Sequence, residues 1–144
     1  MDIGHLRSQH QELSQTVSEL SSAITSDRAA QNVAPLRWKM ARQLIGHLAL
    51  EDKIFYPTVQ RLADKHIRDT ARRLEEEMGP LADAFSAYMA RWTDERIARE
   101  WLSFCAETRE ILKALTRRID TEERLLYPLV ERASRANRPI SDTA

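Results

Sequence analysis

The chain has 144 residues and a mass of 16.7 kDa, the size of one domain, and its 42% hydrophobic content excludes wholesale disorder. Lys+Arg and Asp+Glu both number 22, and that zero net charge argues against an electrostatic grip on nucleic acid or an anionic membrane. No apolar run approaches the ~20 residues that cross a bilayer, and the single cysteine, Cys105, has no internal disulfide partner.

Four apolar stripes at helical spacing follow one another along the chain. The first runs Ile3, Leu6, His10, Leu13, Val17, Leu20, Ile24. The segment from Ser26 to Pro35 interrupts it, and Pro35 suits a first helical turn, where no amide donor is needed. The second stripe is Leu36, Met40, Leu44, His47, Glu51, Ile54, Thr58, Leu62, and the third is Leu74, Met78, Leu81, Phe85, Tyr88, Trp92. Thr93-Asp94 has the chemistry of a helix cap. The fourth stripe is Trp101, Phe104, Thr108, Ile111, Leu115, Arg118, Glu122, Leu125, Leu129. Pro57, Pro80 and Pro128 lie inside these patterns and predict kinks or local breaks. No segment alternates with period two. The expected fold is all-α, an antiparallel up-down-up-down four-helix bundle over residues 1–134, with 135–144 as a flexible tail. Nothing after Met1 resembles an export signal, so a cytoplasmic protein is expected.

An internal repeat orders the polar residues. The segment from His47 to Arg61 returns 71 residues later as Arg118 to Arg132, with Glu51, Tyr56, Pro57, Val59 and Arg61 matched by Glu122, Tyr127, Pro128, Val130 and Arg132. Leu6, His10, Leu13, Val17 and Leu20 likewise align with Leu74, Met78, Leu81, Phe85 and Tyr88. Two αα-hairpins of common pattern are therefore expected to face each other. They bring His10, His47, Glu51, Arg118 and Glu122 to one level of an apolar interior, where unpartnered polar groups are costly. A divalent metal on the histidines and glutamates is one solution. A metal-free cluster in which Arg118 forks onto Glu51 and Glu122 is the other.

A stripe histidine, then His-x-x-x-Glu, then a repeat ending Glu-Glu-x-x-Leu-Tyr-Pro, resembles the hemerythrin-like (HHE cation-binding) family over roughly residues 3–133. The resemblance implies an up-down four-helix bundle around a non-haem di-iron centre, in proteins that carry oxygen or sense oxygen, redox state or iron. It implies His10 and His47 as histidine ligands and Glu51 and Glu122 as the two bridging carboxylates. At two positions where the family has histidine, this chain has Met78 and Arg118. A guanidinium has no free lone pair for a metal, and a thioether is a poor ligand for a hard ion. Three states are open: one metal on His10, His47, Glu51 and Glu122; no metal, with Arg118 neutralising the glutamates; or two metals with Glu77 recruited.

The leading expectation is a non-enzymatic iron-binding bundle with a reduced, mononuclear site, a sensor or binder of NO, O2 or an anion. The alternative is a metal-free regulatory bundle that binds another protein or forms a homodimer. The remaining singled-out residues read as structural. His5 and His66 are expected at the surface, Trp38, Trp92 and Trp101 in core or end packing, and Cys105 as a small buried hydrophobe. Tyr56 and Tyr127 lie nine residues past His47 and Arg118, off their face in a straight helix, and read as parts of a Tyr-Pro bend.

Overall fold

A computed structural model of the chain describes residues 2–25 and 33–136, and among these there is helix and no strand. Helix α1 spans Ile3–Ile24 and is capped by Asp2, whose Oδ1 accepts from the His5 amide at 3.0 Å. Helix α2 spans Val33–Leu50, with Pro35 in its first turn. A π-helical turn over Glu51–Phe55 then leads into α3, Tyr56–Val59. Helices α4, Lys65–Met78, and α5, Leu81–Arg91, are separated at Gly79-Pro80, the break expected there. The short helix α6, Asp94–Arg99, carries the expected Thr93 cap, and α7 spans Trp101–Thr121. A second π turn over Glu122–Leu126 continues into α8, Tyr127–Ala136. The helical pattern therefore runs two residues beyond the expected boundary at 134, while residues 26–32 of the first connection and 137–144 of the expected tail lie outside the described residues.

The two π turns follow from the two prolines. Pro57 and Pro128 have no amide hydrogen, and in a straight helix each ring would strike the carbonyl four residues back. The preceding turn widens instead: the Tyr56 amide donates to the Glu51 carbonyl and the Tyr127 amide to that of Glu122, five residues back. One extra residue per turn rotates everything downstream by about 100°. The sequence stripes consequently slip by one position. Ile54 and Leu125, expected inside, are 56% and 48% exposed, and Phe55, Tyr56, Val59, Leu126, Tyr127 and Val130 take their place in the core.

Helix α1 packs along α2 and α7, α5 packs on α7, and α4 on α3. The interior falls into two apolar clusters. One includes Leu13, Leu44, Phe85, Tyr88, Phe104 and Leu115; the other includes Leu6, Phe55, Val59, Leu74, Leu126 and Val130. Full burial of each such side chain stabilises by about 1.5–3 kcal/mol. His10, His47, Glu51, Arg118 and Glu122 lie between the clusters along the chain, each at most 3% exposed. Trp38 departs from expectation: it is 55% exposed, while its neighbour Arg37 is buried, its guanidinium carbon 5.4 Å from the centre of the Tyr88 ring. Trp92 and Cys105 are buried, and His5 and His66 are exposed, as expected.

Candidate metal centre

The polar layer is built from three stretches of the chain. α1 supplies His10, the last turn of α2 supplies His47, the first π turn begins at Glu51, and α7 with the second π turn supplies Arg118 and Glu122. The imidazoles meet edge-on with their Nε2 atoms 3.0 Å apart. Glu51 Oε1 lies 3.0 Å from His47 Nε2, and Glu122 Oε1 lies 3.1 Å from His10 Nε2. One donor atom from each of the four residues falls within 4.8 Å of all the others.

The opposite ring nitrogens decide what the inner ones are. His10 Nδ1 donates to Glu123 Oε2 at 3.0 Å, and His47 Nδ1 donates to Gln9 Oε1 at 2.7 Å. Neutral imidazoles with Nδ1 protonated present bare lone pairs at Nε2. The two Nε2 atoms face each other across 3.0 Å, with carboxylate oxygens on both sides. Glu122 Oε1 is buried without a hydrogen-bond partner, 3.1 Å from His10 Nε2. A cation is a partner that these four atoms can share. Ligands at about 2.1 Å and right angles around a divalent metal stand about 3.0 Å from one another, which matches the three short spacings. The residues present therefore fit a metal ion.

Arg118 fills the rest of the layer. Its Nε donates to Glu122 Oε2 at 3.2 Å, and Nη2 donates to Asp52 Oδ1 at 2.7 Å and to Glu51 Oε1 at 3.4 Å. Nη1 donates at 3.3 Å to the carbonyl of Met78, one of the last carbonyls of α4 and short of intrahelical donors. Arg118 thus pairs with three carboxylates, those of Glu51, Asp52 and Glu122.

The protonation states of the cation-free cluster follow from burial and neighbours. Burial raises the Glu51 carboxyl, but the hydrogen bond and charge of His47, with Arg118 beside it, lower it to about 2. Glu122 is held well above the usual range, first by burial and then by the charge of Glu51. For Arg118, burial opposes the charge, but Glu122, Glu51 and Asp52 outweigh it and the guanidinium stays cationic.

The structure brings together His10, His47, Glu51, Arg118 and Glu122 as the spacing predicts. Met78 is buried beside Arg118 with its side chain in the apolar core. Glu77 is a correction: it is exposed and faces Arg117 at 3.8 Å, so it is not recruited inward. Tyr56 and Tyr127 are a second correction. The Tyr56 hydroxyl donates to Glu122 Oε2 at 2.8 Å and the Tyr127 hydroxyl to Glu51 Oε2 at 2.7 Å. The π turns supply the rotation that a straight helix lacks, and the Tyr-Pro repeat itself is the signal that could have found them. Burial and the neighbouring glutamates raise both phenols, which remain donors. Gln9, Asp52 and Glu123 were missed, although each adjoins a core residue in sequence; they carry the outer hydrogen bonds of the layer.

Among the described residues, no helix is long and apolar enough to cross a membrane. The sequence matches the family model described as hemerythrin HHE cation binding domain over residues 1–130. No curated protein and no solved structure matches it. With a His/Glu cluster suited to a cation inside a helical bundle, the chain belongs to the hemerythrin HHE cation-binding domain family.

Proposed function

We propose that the protein binds a single non-haem iron through His10, His47, Glu51 and Glu122, and serves as a cytoplasmic sensor or small-ligand binder, not as an enzyme. The observation that carries this reading is the buried cluster of His10, His47, Glu51 and Glu122, in which the two Nε2 atoms lie 3.0 Å apart and both Nδ1 atoms are committed elsewhere. The reading takes the rods as an antiparallel four-helix bundle of two repeated hairpins. Its mononuclear character rests on Arg118 and Met78, a permanent cation and a thioether at the repeat positions that match His47 and His10 of the other hairpin. Iron held by four side chains would supply a redox-active Lewis acid with room for NO or an anion. Reversible oxygen carriage, which in the family draws electrons from two irons, is not expected. Arg118, by charge and donor hydrogens, favours an anion.

A metal-free regulatory module, binding a protein partner or a second copy, is the competing reading. The closed contacts of Arg118 with Glu51, Asp52 and Glu122 favour it. Elemental analysis of anaerobically purified protein separates the two. One iron per chain supports the first. Metal-free protein of unchanged stability overturns it in favour of the second.

A further inference from the structure

The Tyr-Pro repeat leaves two buried phenols that the cation reading does not use. Each comes from one hairpin and donates to the core glutamate of the other: Tyr56 to Glu122 and Tyr127 to Glu51. The atoms chosen are the informative part. In both carboxylates the tyrosine takes Oε2, and in Glu122 Arg118 Nε takes the same atom. In both, Oε1 is the oxygen beside a histidine Nε2, at 3.0 Å in Glu51 and 3.1 Å in Glu122. The Tyr127 hydroxyl also lies 3.3 Å from His10 Nε2, at the edge of the cluster.

A carboxylate free to rotate can bind a metal through one oxygen, through both, or bridge two metals. A short phenol hydrogen bond occupies one lone pair of its oxygen and draws electron density from it, so the oxygen without the phenol is the better ligand and the first mode is favoured. We propose that Tyr56 and Tyr127 are positioning residues that hold Glu122 and Glu51 as one-oxygen ligands. They thereby restrict the protein to four donor atoms and leave the remaining coordination positions open. The π turns acquire a purpose in this assignment, since they are what carries each phenol onto the cluster. The inference rests on the cation reading above.

Cobalt(II) is a suitable probe, because its ligand-field bands weaken as coordination number rises. Tyr56→Phe and Tyr127→Phe are each titrated with cobalt(II) beside the wild type. Tyr88→Phe serves as a control, losing a buried phenol that pairs with Thr108 at 2.8 Å, away from the cluster. The expected result is about ten-fold weaker binding and weaker bands in the first two variants, with the control like wild type. Unchanged bands in both, or an equal change in the control, overturn the positioning role while leaving cation binding intact. No cobalt uptake by wild type overturns the cation reading itself. Should the variants fold poorly, infrared spectra of cobalt-loaded wild type decide the matter. A wide separation between asymmetric and symmetric carboxylate stretches, measured with labelled glutamate, marks one-oxygen binding, and a narrow one overturns it.

Discussion

His47 is the residue on which the layer turns, because its Nε2 touches both His10 and Glu51 while Gln9 fixes its other face. His47→Ala is expected to abolish metal binding and any azide-dependent spectral change together. Arg118→Gln should weaken azide binding while leaving the metal in place, and retained azide affinity in that variant would remove Arg118 from ligand recognition. In metal-free protein, Arg118→Met leaves Glu51, Asp52 and Glu122 without their cation, and is expected to cost about 3–5 kcal/mol in urea unfolding. Cys105 carries a pH prediction. Burial raises its thiol, so its contribution to stability is complete below the unfolded thiol value of about 8.5 and is lost as pH rises through the higher folded value. Stability measured upward from pH 8 should therefore decline, and Cys105→Ala should remove part of that decline. The four candidate ligands were legible because their spacing keeps strict helical step. Gln9, Asp52 and Glu123 were not, because a residue beside a core position points outward in a helix and reaches the layer only through a long side chain.

At the scale of the helical element, what sequence periodicity misplaces is the register after each core glutamate. The stripes assume 3.6 residues per turn throughout, and both π turns break that assumption at Glu51 and Glu122. A straight helix buries Ile54 and exposes Phe55; the structure does the reverse. Ile54→Lys and Leu125→Lys are accordingly expected to shift stability by no more than about 0.5 kcal/mol. Phe55→Ala should cost about 3–5 kcal/mol. Denaturant unfolding of the three variants checks this, and the opposite ranking would restore the straight helix. The break between α4 and α5 was legible because Gly79-Pro80 combines two interrupters. Gly79 also has a steric role: an added Cβ would lie 2.4 Å from the Glu75 carbonyl oxygen. Gly79→Ala should destabilise by about 1–3 kcal/mol, read as a lower unfolding midpoint.

Across the whole molecule, a polar layer suited to a cation divides an apolar interior, and the internal repeat makes its two halves comparable. One hairpin offers His10 and His47. The other offers Met78, in the apolar core, and Arg118, held by Glu51, Asp52, Glu122 and the Met78 carbonyl. That asymmetry was readable from the 71-residue offset alone; the four contacts that lock the guanidinium in place needed the fold. On the proposed reading, this asymmetry limits the protein to one metal ion. Anaerobic titration with ferrous iron to saturation tests it most directly, with wild type beside the double variant Met78→His, Arg118→His. One iron per chain is expected in the wild type and two in the folded double variant. Saturation of the wild type at none or at two, or an unchanged ratio in the double variant, would contradict it.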